Sequence, residues 1–163
     1  MNLLEPYIHA LGQRVGLPLE ASPDGSFTTI LGGMRLLVRA LESGEAILFY
    51  MEVGQPSLFG RGEILARLME GNLYLAGTRG AALSYDTANE RVGLNLLLPL
   101  RQLENEEFIN AVDNFVAAAV DWGRRLAELN NEAAERAESI GDPADSPMDA
   151  SDHLPVDNGF VMA

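Results

Sequence analysis

The apolar positions of the chain alternate between helical and extended periodicity. Leu4, Ile8, Leu11 and Val15 recur at spacings of four, three and four, which stacks them on one face of a first helix. Pro6 falls in its first turn, where a missing N–H costs little, and Gly16 with Pro18 ends it. Asp24-Gly25 and Gly32-Gly33 bracket Ser26 to Leu31 as a strand, with Met34 to Leu41 as its hairpin partner. Ser43-Gly44-Glu45 turns into a third strand, Ala46 to Val53. Three strands joined by short glycine turns predict an antiparallel meander.

These strands are apolar on both sides. In the third, Ile47, Phe49, Met51 and Val53 point one way while Leu48 and Tyr50 point the other. A sheet covered on one side alternates with polar residues, so a second covering surface is expected. Beyond Pro56, Glu63 to Glu70 forms a second helix with Ile64, Leu65, Leu68 and Met69 as its stripe and Gly71 or Asn72 as its stop. Residues 73–80 read as a loop, and Ala82 to Tyr85 pairs with Arg91 to Leu98 around Asp86 to Glu90. The last helix opens on Glu104, Glu106 and Glu107 and carries Arg124 and Arg125 near its end, as the helix dipole prefers. Phe108, Val112, Phe115, Ala119, Trp122 and Leu126 form one stripe, with Ile109, Val116 and Val120 beside it. An arc this wide predicts contact with two surfaces. The order is α-β-β-β-α-β-β-α, an α+β domain of three helices around a twisted antiparallel sheet.

Composition divides the chain near residue 130. Of its 163 residues, 130–163 hold 8 of the 24 acids but only Arg136 among the 11 basic residues, with Pro143, Pro147 and Pro155 between them. Over this stretch the apolar residues show no period, so burial cannot offset the entropy of ordering it. The expectation is a domain over 1–129 and a flexible acidic tail over 130–163, with the last helix allowed to run on through Ala137.

Charge and residue usage exclude several classes of function. The net charge is −13, all 11 basic residues are Arg, and there is no Cys. No disulfide framework, zinc-thiolate site or thiol nucleophile is available, and no P-loop or Schiff-base lysine. The acidity argues against nucleic acid and against anionic lipid. No apolar run approaches the roughly 18 residues of a spanning helix, and Met1 to Leu11 lacks the basic start of a signal peptide. A soluble, cytoplasmic protein is expected.

Candidate chemistry is sparse. His9 and His153 build no Ser-His-Asp arrangement and no metal-ligand spacing, so His9 reads as a surface residue. Gly77-Thr78-Arg79-Gly80 lacks the lysine and following helix of a phosphate loop, and Gly60-Arg61-Gly62 reads as a helix entry. Glu104, Glu106, Glu107, Asp113 and Asp121 belong to a hydrated helix face. Arg35 and Arg39 share a face of the second strand, either snorkelling into solvent or pairing with acids of a partner. No nucleophile–base pair supports a hydrolase, so no enzymatic activity and no cofactor or metal is expected.

The chain resembles the class I type III secretion chaperones, the small acidic effector chaperones (Tir chaperone-like) of Gram-negative bacteria. LGQRVGLPLE (11–20), the hairpin around Gly32-Gly33, ILFYMEVGQ (47–55), EILARLMEGNLYLAGTRGAALSYD (63–86), LNLLLPL (94–100) and the helix containing Trp122 carry the likeness through their order, with the chain length and low pI. It extends from about Leu3 to Leu129. The resemblance implies a cytoplasmic homodimer that holds the N-terminal segment of a secreted effector in extended form, without ATP or bond chemistry. It places dimer contacts at Leu65, Leu68, Leu94 and Leu96. It places the client where the first helix meets the outer strands, at Leu4, Tyr7, Ile8, Leu11, Phe27, Ile30, Leu37 and Phe49; the alternative is that most of these are ordinary core, the preferred reading for Leu4 and Leu11. Arg35 and Arg39 would attract acids flanking the guest's anchors, with Tyr7 and Leu37 exposed in the free protein. The alternative of another class is a regulatory or signalling adaptor of similar α+β build, with no secreted client.

Overall fold

The glycine turns and two-faced strands assemble as their spacing predicts. In the computed structural model, which describes residues 3–141, the elements are α1 (Glu5–Val15), β1 (Phe27–Leu31), β2 (Met34–Ala40), β3 (Ala46–Gly54), α2 (Arg61–Glu70), β4 (Ala82–Asp86), β5 (Arg91–Pro99) and α3 (Asn105–Gly141), with a 3-10 turn at Leu73–Leu75. The five strands form one antiparallel sheet in the order β1-β2-β3-β5-β4. Gly32 and Gly33 lie at φ 58° and 77°. That pair of left-handed residues is the two-residue hairpin turn whose twist matches the flanking strands.

The register sorts the strand residues into two faces. Phe27, Val38, Phe49 and Leu96 form one cross-strand row, and Leu36, Met51, Leu94 and Leu83 the next on the same side. All three helices pack around this side. Phe108 of α3 sits at its centre, with its ring 4.9 Å from Tyr7 of α1 and edge-on to Phe49 at 5.5 Å. Phe115 meets Phe49 at 5.6 Å. The stripe Phe108, Val112, Phe115, Ala119, Trp122 and Leu126 is buried throughout. Each such side chain contributes about 1.5–3 kcal/mol of transfer free energy.

α3 does contact more than one surface: the sheet, α1 and α2. It continues through the composition change at residue 130. Leu129 and Ala133 are buried in the core, and Glu132 and Arg136 pair with Arg67 and Glu63 of α2. The folded part therefore extends past 129 and past Ala137, because helix α2 supplies a surface that a composition count does not see. The remainder of the expected tail, 142–163, lies outside the described residues.

The end of α2 differs from expectation in its cause. Gly71 has a right-handed φ of −62°, so no left-handed cap requires a glycine there. A methyl group at Gly71 would instead overlap the ring of Trp122. Trp122 Nε1 donates to Gly77 O at 3.1 Å, so the indole lies between these two glycines. Asn72 pairs with the outer edge of β4, donating to Leu83 O at 3.0 Å and accepting from Leu83 N at 2.7 Å. Just before β4, the Thr78 hydroxyl donates to Ala81 O, and the Ala81 N–H donates to Thr78 O. This edge is thus blunted by side chains and a turn.

Candidate functional site

Among the described residues no helix covers the opposite face of the sheet. Thr28, Leu37, Tyr50, Asn95 and Ala82 form one row across it, and Arg39, Leu48 and Leu97 another. Ile30 stands beside Arg35. Ile30 is 61% exposed and Leu97 57%, while Leu37, Leu48 and Tyr50 are half-buried. Tyr50 lies flat over Gly93, where any Cβ would overlap its ring. Burial raises the Tyr50 phenol above its ordinary pKa, with the carboxylates of Glu52 and Asp86 adding to the shift.

Charges frame this apolar centre unevenly. Glu52 is paired with Arg91 at 3.2 Å. Arg35 and Arg39 make no ion pair among the described residues, although seven other arginines do. In a protein with 24 acids this leaves two cations beside the exposed apolar residues, open to an acidic partner. A groove of about 760 Å³ opens here, bounded by Thr28, Arg35, Leu37, Tyr50 and Glu52 on the sheet. It passes over the Gly32-Gly33 turn to Val120 and Arg124 of α3.

The edge of β1 is also available. A two-residue turn makes Leu31 and Met34 a hydrogen-bonded pair, so Thr28 and Ile30 direct their N–H and C=O groups outward. Ser26, of the same parity, has its N–H taken by Asp24 Oδ1 at 3.1 Å and its carbonyl by Ser22 N at 2.6 Å. No described residue pairs with the outward groups of Thr28 and Ile30. An unpaired strand edge next to an apolar face can accept a further strand.

The residues expected to bind a client are divided by the sheet into two sets. Ile30, Arg35, Leu37 and Arg39 lie on the open face. Leu4, Tyr7, Ile8, Leu11, Phe27 and Phe49 lie inside the protomer on the helix-covered side. Tyr7, expected at the surface, is 8% exposed, and its hydroxyl donates to Leu103 O at 3.0 Å. Burial raises its phenol pKa. The helical stripe of α1 is wide enough to take Tyr7 inward because α3 begins directly over it. Of the expected dimer residues, Leu68 and Leu94 are fully buried in the protomer, whereas Leu65 and Leu96 are half-buried. Further along the chain from Leu65, Met69, Leu73, Tyr74 and Leu75 are also exposed. Tyr74 and Leu75 hold left-handed backbone conformations at φ 55° and 54°, unusual for bulky residues.

Sequence reasoning missed Tyr50, Leu48 and Leu97 as members of the open face. The signal was present, since Leu48 and Tyr50 have the opposite parity to Phe49 in the same strand. What could not be read was which parity the helices cover.

The weak chemical candidates acquire ordinary roles. His9 is exposed and accepts from Gln13 Nε2 at 2.9 Å. Arg61, between Gly60 and Gly62, is held by Glu90 at 2.6 Å, an interaction that raises its own pKa and holds the Glu90 carboxyl below the usual carboxylate range. Among the described residues no group of three or more His, Cys, Asp or Glu is arranged to hold a metal ion, and no helix is long and apolar enough to cross a membrane.

No curated protein sequence matches the chain. Solved structures do match. The crystal structure of the ExsC–ExsE complex contains a chain 22% identical with a TM-score of 0.65, covering 74% of this chain and 91% of that one. In the ExoU–SpcU heterodimer from the type III secretion system of Pseudomonas aeruginosa the values are 21% and 0.57, with 75% and 95% covered. The Yersinia pestis type III secretion chaperone SycH, solved with a stable fragment of YscM2, matches at 14% and 0.56, with 72% and 97% covered. At these identities the likeness is one of fold: three helices and a five-stranded antiparallel sheet in the same arrangement. A sequence profile settles the kinship, because the Tir chaperone protein (CesT) family matches residues 7–123. The chain belongs to the Tir chaperone protein (CesT) family.

Proposed function

We propose that this protein is a type III secretion chaperone that holds the N-terminal segment of a secreted effector in extended form, acting as a cytoplasmic homodimer and without catalysis. The observation that carries this reading is the open sheet face: an apolar centre of Ile30, Leu37, Leu48, Tyr50 and Leu97 beside an unpaired strand edge. Strand pairing at β1 supplies affinity that does not depend on the guest's sequence, and the apolar face takes alternate side chains of an extended guest. Arg35 and Arg39 select acids flanking those anchors and make the affinity fall with salt. Several similar structures were solved as complexes with a protein partner, ExsC with ExsE and SycH with a fragment of YscM2 among them. The client-binding residues in this reading are Ile30, Arg35, Leu37 and Arg39, with Phe27 and Phe49 supporting the same strands from behind. The dimer contacts are assigned to Leu65 and Leu96 together with Met69, Leu73 and Tyr74, whose exposure a second copy would relieve.

Co-expression of the tagged chain in its own bacterium tests this. The expected result is co-purification of a secreted effector through its N-terminal region, lost in an Ile30→Asp, Leu37→Asp double variant whose melting temperature stays near that of the parent. Failure of any secreted effector to co-purify, or capture that survives the double variant, would refute the assignment of function or of surface respectively.

A further inference from the structure

We propose that the last part of α3, from Leu129 to Ile140, is a strap that sets the roll of α2 about its own axis and so presents Leu65 and Met69 to a second copy of this chain. The proposal rests on the reading of that flank as the dimer surface, and it adds the device that positions it.

The apolar stripe of α2 leaves its roll weakly determined. Its ten residues bury only Ile64 and Leu68, one above the other on the helix. A helix this short takes its place from tertiary contacts rather than from its own propensity. The entry is loose as well, because Arg61 stands between Gly60, at φ 70°, and Gly62. The Arg61–Glu90 pair at 2.6 Å ties that entry to the turn before β5. Successive residues advance about 100° around a helix, so Glu63 and Leu65 stand about 160° apart, on opposite flanks of Ile64. Arg67 and Met69 repeat the arrangement one turn on.

The strap grips the charged flank. Glu132 pairs with Arg67 at 2.9 Å, Arg136 pairs with Glu63, and Glu63 and Arg67 pair with each other at 3.1 Å. Among the described residues no other element gives Glu63 or Arg67 an ion-pair partner. Ala133 lies between these charges on α3, wholly buried, with its methyl 3.6 Å from where a Cβ on Gly60 would stand. One turn earlier, Asn130 holds the connector from β3: its Oδ1 accepts the Ser57 N–H at 2.8 Å and its Nδ2 donates to Gln55 O at 2.9 Å. Connector, helix entry and charged flank are thus all held by one face of α3.

Exposed ion pairs add little to stability, but two of them between the same helices discriminate among rolls, because only one roll brings both into register. With Glu63 and Arg67 committed to the strap, the flank carrying half-buried Leu65 and exposed Met69 keeps one direction. The strap lies beyond residue 123, where the match to the family ends, so the family's pattern does not account for it.

The test is sedimentation equilibrium on the full chain and four variants, with far-UV circular dichroism melts alongside. Changing Glu132→Arg and Arg136→Glu together keeps the net charge and the spacing of opposite charges along α3, but sets like charges against α2. This variant is expected to dimerise about tenfold more weakly than the parent while its helix signal is unchanged and its Tm stays within a few degrees. Adding Glu63→Arg and Arg67→Glu restores both interhelix pairs and should return the dimer constant to within about threefold of the parent. Asn130→Ala, which frees the connector without altering charge, should also weaken the dimer severalfold. Met69→Asp reports on the dimer surface itself. If Met69→Asp dissociates the dimer while the strap variants leave it intact, the strap proposal fails and the dimer reading stands. If the parent is a dimer that Met69→Asp does not weaken, or is a monomer, the dimer reading fails and takes this proposal with it. Weakening that the fourfold swap does not reverse, or that comes with an equal loss of helix signal, also overturns the proposal, since α3 would then support the fold without steering α2.

Discussion

The two faces of the sheet are built from neighbouring residues of the same strands and are nearly equal in apolar character, yet one is a finished core and the other is open. On the covered side Phe27, Leu36, Val38, Ile47, Phe49, Met51 and Leu94 are wholly removed from solvent beneath Phe108, Val112 and Phe115. On the other, among the described residues, Ile30 and Leu97 are exposed and Leu37, Leu48 and Tyr50 only half-buried. Burial of the first set stabilises the fold, whereas the free energy of covering the second set is still available to a partner. The contrast also separates the surroundings of residues that alternate along a single strand: Phe49 is packed in the core while Leu48 and Tyr50, one residue to either side, lie on the open face.

The largest effect that sharpens this contrast is expected from Phe49→Ala. Removing a ring that meets both Phe108 and Phe115 leaves a cavity costing about 3–5 kcal/mol. Calorimetry should show Tm falling by on the order of 10 °C or more. Leu97→Ser on the open face should change protomer stability by less than about 0.5 kcal/mol. If the two substitutions cost the same, the second face is closed as well and the contrast disappears.

An intermediate effect compares two glycines. An added methyl would overlap Trp122 at Gly71 and Tyr50 at Gly93. Trp122 is buried and bonded to Gly77 O, so it cannot yield, and Gly71→Ala is expected to cost about 1–3 kcal/mol in urea denaturation. Tyr50 is only half-buried and can swing toward solvent, so Gly93→Ala should cost less than about 1 kcal/mol. A larger penalty at Gly93 would show that Tyr50 is clamped from outside.

The smallest effect concerns the ion pairs that fasten α2 to α3. Glu63 is held below the usual carboxylate range chiefly by its hydrogen bond from Arg136, with Arg67 adding to it. A carboxyl whose pKa is depressed by folding stabilises the fold at neutral pH and loses that contribution as pH falls through its folded value. Glu63→Gln should therefore lower Tm slightly at pH 7, and the difference from the parent should vanish when both are melted near pH 3. Since these groups are exposed, the neutral-pH difference is expected to be small and to shrink with added salt.

Much of this was legible before any coordinates. The hairpin at Gly32-Gly33, the parity of Phe49 against Tyr50, and the buried stripe from Phe108 to Leu126 follow from spacing alone. The candidate site was legible only in part. Ile30, Leu37 and the two arginines share the open face, but the sequence reading grouped them with Tyr7, Phe27 and Phe49, which the sheet places on its other side. The extension of α3 to Gly141 was hidden because a composition count registers acids, while Ala133 against α2 registers packing. The reason for Gly71 was equally hidden: its partner Trp122 lies 51 residues further along the chain.

Periodicity, turn chemistry and residue usage thus determined the elements, their order, the α+β class and the absence of lysine and thiol chemistry, because each of these depends on residues close together in the chain. The choice of which apolar face becomes core was made only in the tertiary structure. It depends on which side α1 and α3 pack against, and either face of these two-sided strands was apolar enough to receive them. The packing of Phe108 onto Phe49 and Tyr7 selects one, and by doing so leaves Leu37, Leu48, Tyr50 and Leu97 facing outward.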